Sequence, residues 1–142
     1  MLTPEGTISL FNANTFVSPT GSVTNITGTA YPTEEPGQLT VVFDPSPDFN
    51  PPPFPAPYWV VGLGPMNAAN DNKYDWAIVS DDNMLSLFVL ARDVAQFNVE
   101  YNAEVQATLK TLGFTKITNK PIPTTQTPDC NYAPFPFPDE SA

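Results

Sequence analysis

The 142-residue sequence contains no histidine and a single cysteine, Cys130. Without histidine there is no Ser-His-Asp triad, no Cys–His nucleophile pair and no imidazole ligand for a metal. A lone cysteine is an inert thiol in an intracellular chain, and an orphan lacking its partner in a secreted one. Cations are also scarce: five Lys+Arg stand against 15 Asp+Glu, a formal charge of −10. Nucleic acid requires a basic face to displace counterions, and no such cluster is present. The same balance disfavours anionic membrane surfaces and is read first as a source of solubility. No apolar run approaches the roughly 18 residues of a membrane span. The first residues have neither the basic start nor the apolar stretch of a secretory signal, which taken literally leaves the chain in the cytosol.

What is present is a chain long enough for one domain with a real core, 41% hydrophobic and only 14% charged, with 18 prolines. Its first two-thirds read as strands separated by turn signals. Ile8, Leu10 and Asn12 alternate with Thr7, Ser9 and Phe11; a second strand runs over 23–31 and a third over 39–43, where Leu39, Val41 and Phe43 form one apolar face. Residues 44–57 carry too many prolines to join a central strand and predict a stiff loop bearing Phe49 and Phe54. Strands are predicted again over 58–63, 74–80 and 85–92. Strands joined by short polar turns mean an antiparallel up-and-down sheet rather than βαβ units.

One helix follows. Asp93 can cap it, with Gln96 three positions on as in a capping box, and Gly113 can end it. Phe97, Tyr101, Val105, Leu109 and Leu112 form its apolar stripe, which should pack on the outside of the sheet. Residues 114–118 are expected to add a short strand, and 119–142 to form a proline-rich, largely irregular tail.

Three stretches taken together resemble the lipocalin family, in its apolipoprotein D and bacterial branch. The first is 6–12 with Gly21, the run 26–30 and 39–43; the second is 56–61 running to 74–79; the third is 87–92, the helix, Gln126 and Cys130. The resemblance implies a mainly β, antiparallel up-and-down barrel with one C-terminal helix packed outside. The six strands would correspond to the family's C to H, so that 1–142 is a single, N-terminally incomplete domain. The strand-A glycine-x-tryptophan would then lie upstream of Met1, along with a cysteine partner for Cys130. It also implies secretion, which would give the sequon at Asn25 meaning.

The implied function is binding and transport of a small hydrophobic ligand such as a fatty acid, sterol, retinoid or pigment, with no cofactor. Apolar burial at about 25 cal/mol per Å² would drive entry into the barrel. If Arg92 points in as the resemblance implies, strand parity turns Phe88 and Leu90 inward with it, and by the same logic Ile8, Leu10, Asn12, Leu39, Val41 and Phe43, with Trp59 and Trp76 as candidate walls. On the residues alone Arg92 is a surface charge at a strand end; the resemblance turns it inward, closing the bottom of the barrel. Hairpin counting puts the 44–57 loop at the open rim, making Phe49 and Phe54 a lid. Catalysis is not expected: Asp75 and Glu104 are conceivable acids without a recognisable partner. The alternative is an interaction or structural module that assembles, as a homodimer among other forms, through open sheet edges and its proline–aromatic segments.

Overall fold

A computed structural model describes residues 6–47, 54–134 and 136. The chain divides into two compact units, Met1–Ala56 with Thr124–Ala142, and Pro57–Pro123. The class is the expected one: mainly β and antiparallel, with a single C-terminal helical run.

The first unit is a three-stranded meander of β1 (Ile8–Thr15), β2 (Val23–Pro32) and β3 (Gln38–Phe43). Its β-branched and aromatic residues suit a pleated, half-buried surface. In the β1–β2 ladder Ile8 opposes Ala30, Leu10 opposes Gly28 and Asn12 opposes Ile26. In the β2–β3 ladder Phe43 opposes Gly28, Val41 opposes Ala30 and Leu39 opposes Pro32. Directly opposed residues share a face, so alternate residues of all three strands gather on one side. Ile26, Ala30 and Val41 on that side are buried, whereas Val42 on the other is exposed. Among the described residues, Asn131 ties the tail to this unit. Asn131 donates its backbone amide to Pro19 O (2.8 Å) and its side-chain amide to Thr20 O and Gly21 O (2.8 and 3.0 Å).

The second unit contains β4 (Ala56–Leu63), a two-residue hairpin of β5 (Met66–Asn67) and β6 (Lys73–Tyr74), then β7 (Trp76–Ser80) and β8 (Leu87–Ala91). β7 pairs antiparallel with β4 on one side and β8 on the other. The residues expected to form one strand over 74–80 divide at Asp75, because Lys73 and Tyr74 pair back with β5. A bulge between Val60 and Gly62 shifts the β4–β7 register by one residue.

The helical run is three pieces: α1 (Val94–Gln96), a π-helical segment (Phe97–Tyr101) and α2 (Asn102–Leu112). Asp93 caps it, its carboxylate accepting from Gln96 N at 2.8 Å. The expected capping box is only half made, since the Gln96 side chain donates to Glu100 instead. At the other end Gly113 takes φ +93°, which a side chain would resist. Gly113 N bonds to Lys110 O and Phe114 N to Leu109 O, a Schellman closure that folds Phe114 back onto Leu109. The chain is thereby turned into the core, and 114–118 form turns rather than the expected short strand.

Val105, Leu109 and Phe114 pack with Trp76 and Ile78 in this unit's core, and Phe97, Tyr101, Leu112, Leu87 and Val89 flank them. Trp76 lies under Gly64, whose amide donates to Trp76 O at 2.9 Å. A Cβ at Gly64 would stand 2.5 Å from the indole Nε1. Gly64→Ala should therefore destabilise the protein by about 1–3 kcal/mol through overpacking, read as a lower urea midpoint at unchanged slope; an unchanged midpoint would show that the indole moves aside freely.

Candidate functional site

In the first unit the expected inward residues do lie on one face: Ile8, Leu10 and Asn12 from β1, and Leu39, Val41 and Phe43 from β3. Burial differs along it. Val41 is buried, Leu10, Leu39 and Phe43 are half-buried, and Ile8 and Asn12 are exposed. The middle strand contributes Ile26, Gly28 and Ala30 to the same face, residues that the parity of β1 and β3 alone does not name. Gly28 and Ala30 are small, so the side chains of Leu10 and Phe43 flank a shallow floor.

In the second unit the β7–β8 register sorts the residues into two faces. Trp76, Ile78 and Ser80 oppose Ala91, Val89 and Leu87 on the side covered by the helix. Ala77 and Val79 oppose Leu90 and Phe88 on the other side. There Phe88 is 56% exposed and Leu90 46% exposed, an apolar surface on a strand that the helix does not reach.

This sorting corrects the assignment of both tryptophans as pocket walls beside Phe88 and Leu90. Trp76 is buried against Val105, Leu109 and Phe114. Trp59 opposes Ser80, and so shares the Trp76 side of the ladder. The reason is the period of two: adjacent positions point to opposite faces, so Trp59 goes with Ser80 to the helix side and Val60 with Val79 to the other. Val60, opposed to Val79, takes the place assigned to Trp59. The alternation places Tyr58 beside Val60, and burial raises its phenol pKa above the ordinary value.

Arg92 is exposed and its Nε donates to Tyr74 O at 2.8 Å. Phe54 is almost fully exposed, and Phe49 lies outside the described residues. Asn25 is exposed on β2, while the hydroxyl of its sequon partner Thr27 donates to Asp44 at 2.7 Å. Cys130 is a free, half-buried thiol; hydrogen bonds from Thr127 lower its pKa. Among the described residues no three His, Cys, Asp or Glu side chains gather as a metal site, and no helix is long and apolar enough to cross a membrane.

Asp75, expected to stand alone, is the most heavily engaged side chain of its unit. Its carboxylate accepts from Asn67 Nδ2 (3.0 and 3.2 Å), Asn70 Nδ2 (2.9 Å) and Tyr101 Oη (2.9 Å). Burial opposes its ionisation, but these hydrogen bonds and the charge of Arg92 outweigh it and hold the carboxyl below its usual range. The phenol of Tyr101 responds in the opposite sense. Its bond to Asp75, its burial and the charges of Asp75 and Glu100 push it up to about 12. A carboxylate whose oxygens accept from three fixed donors acts as a clamp on the chain around it. Asp81 is similar in kind: burial opposes ionisation, but the amides of Leu85 (3.0 Å), Ser86 (2.6 Å) and Asn83 (2.8 Å) hold its carboxyl at about 2. It thereby shapes the β7–β8 turn, in which Met84 adopts φ +57°.

The family model described as lipocalin-like domain matches residues 1–121. No curated protein and no solved structure matches the chain.

Two pH effects follow from these carboxylates. Asp81 is depressed in the folded state, so its stabilisation is complete above about pH 4 and is lost as pH falls towards 2. Asp81→Asn should remove that part of the acid-unfolding curve, roughly 1 kcal/mol once solvent screening is allowed for; a variant as acid-sensitive as the parent would count against it. Tyr101 is raised, so its contribution persists up to pH 10 and disappears as pH passes about 12. In Tyr101→Phe the latest-ionising phenol should vanish from the ultraviolet titration, and the melting temperature should drop at neutral pH.

Proposed function

Because the chain belongs to the lipocalin-like family, we propose that it carries a small hydrophobic molecule of the fatty acid, sterol, retinoid or pigment class against the helix-free apolar faces of its strands. The observation that carries this reading is the uncovered pair Phe88 and Leu90. Two large apolar side chains of one strand, at 56% and 46% exposure, share a face with Val79 and Val60. Uncovering them costs hydrophobic free energy that a bound apolar ligand returns. The face of the first unit built on Leu10, Val41 and Phe43 is apolar as well but more deeply covered, with the exposed Asn12 as the polar group that orients a ligand head.

The narrower placement in the apolipoprotein D and bacterial branch rests on the motif order from Gly6 to Cys130. Secretion, glycosylation at Asn25 and a disulfide at Cys130 belong to the same proposal. Homodimer formation through sheet edges is its rival, and the exposed Phe88 and Leu90 favour that reading too, since a second copy would cover them as well as a ligand would. Light scattering separates the two: a monomer that binds ligand leaves only the carrier.

An environment-sensitive apolar dye, displaced by a panel of fatty acid, sterol, retinoid and pigment, measures binding without relying on either tryptophan. At least one class should displace it saturably. Phe88→Ala and Leu90→Ala should each weaken that ligand about 5- to 100-fold, the value of one apolar side chain, with little effect on folding because both are already exposed. No saturable displacement by any class would sink the proposal.

A further inference from the structure

The chain's charge of −10 conceals an uneven distribution. Three of its five cations, Lys110, Lys116 and Lys120, fall within residues 105–128, which contain no Asp or Glu. All three are exposed, and among the described residues none is in an ion pair. Lys110 faces the negative end of α2, which accounts for one of them. Nothing comparable accounts for Lys116 and Lys120.

Between and beside these lysines stand large aliphatic side chains turned to solvent. Ile117 is 87% exposed, Ile122 80%, and Leu85, on the neighbouring β7–β8 turn, 71%. The arrangement is held in place. Asn119 is buried, its Oδ1 accepts Lys116 N at 3.0 Å, and its Nδ2 donates to Met84 O at 3.2 Å. Lys116 O in turn accepts the amides of Asn119 and Lys120. The turn and the post-helical segment border a groove of about 440 Å³, with Met84, Leu85 and Leu112 as apolar wall and Thr115, Lys116 and Thr118 as polar wall. Among the described residues no acid lines it; on the bordering turn the Asp81 carboxylate is taken by three amides and Asp82 accepts from Asn83, and Glu104 lies in the first turn of α2.

We propose that this face docks on an anionic phospholipid bilayer, the lysines meeting headgroup phosphates while Leu85, Ile117 and Ile122 enter the acyl boundary. Charge complementarity selects the partner's sign, and the interleaved aliphatics select a surface that is apolar beneath its charge. An acidic protein or polynucleotide would pair the lysines but leave the isoleucines wet. The fifteen acids do not forbid contact, because charges more than about 8 Å away are screened at physiological salt. The inference is independent of what the apolar strand faces bind.

Sedimentation of the full chain with vesicles tests it. The protein should co-sediment with phosphatidylcholine vesicles containing about a third phosphatidylserine and not with phosphatidylcholine alone, and high salt should release it. Replacing Lys110, Lys116 and Lys120 together by Gln should weaken binding at least tenfold. Ile117→Ser should weaken it severalfold, and Lys73→Gln, at a lysine beside Asp71, should leave it unchanged. Circular dichroism checks that the variants fold. Soluble glycerophosphate should not compete. Equal sedimentation with both vesicles, none with either, a triple variant that binds like the parent, or displacement by polyglutamate with no effect of Ile117→Ser would each overturn the proposal, the last by assigning the face to an acidic protein.

Discussion

The second unit depends on one buried carboxylate. Asp75 sits where β6 gives way to β7, and every neighbouring element ties to it. Its amide donates to Pro65 O and its carbonyl accepts from Arg92 N, joining the end of β4 to the end of β8. Its side chain gathers the loop through Asn67 and Asn70 and the helix through Tyr101. A buried charge is tolerable only when its hydrogen-bonding capacity is met, and here that demand draws the 67–70 loop and the helix to one point, while the backbone of the same residue holds the strand ends. The helix consequently lies over Trp76 and Ile78 and leaves Phe88 and Leu90 uncovered.

Much of this architecture can be read from the residues. Alternation in 8–12 and 39–43 locates β1 and β3, and Pro and Gly clusters locate the breaks, because side-chain period and proline's missing donor act locally. Asp93 and Gly113 mark the helix ends for equally local reasons. The tryptophan assignment fails for a non-local one. Which face Trp59 and Trp76 occupy depends on the register of β7 against β4 and β8 and on which side of those strands the helix covers, and neither is set by neighbouring residues. The partners of Asp75 are similarly hidden, since Tyr101 is 26 residues away and is brought over by the helix. At 114–118 the apolar Phe114 suggests a strand, but the Schellman closure directs it into the core instead.

The two kinds of exposed apolar surface have different physical sense. Phe88 and Leu90 stand on a regular strand, flanked by uncharged neighbours, as a surface suited to a small apolar molecule does. Ile117 and Ile122 stand in an irregular segment between and beside lysines, where an apolar ligand would meet unpaired charge. Composition averages these surfaces into one acidic, moderately hydrophobic chain; only the placement of each side chain separates them.

The π-helical segment has a consequence for how this sequence can vary in length. The stripe Phe97, Tyr101, Val105, Leu109 advances in steps of four, which on a helix of 3.6 residues per turn drifts by about 40° each time. The wider π turn at Phe97–Tyr101 absorbs part of that drift, so that Tyr101 reaches Asp75 while Val105 and Leu109 still enter the core. Removing one residue there would give a more regular helix and swing Tyr101 away from its carboxylate. Substitutions at the exposed Asn98 and Val99 leave that phase intact. Among natural variants of this chain, side chains at these two positions should therefore drift freely while the residue count between Asp93 and Val105 stays constant, and a gap in that interval would mark a lineage that has given up the Asp75 clamp.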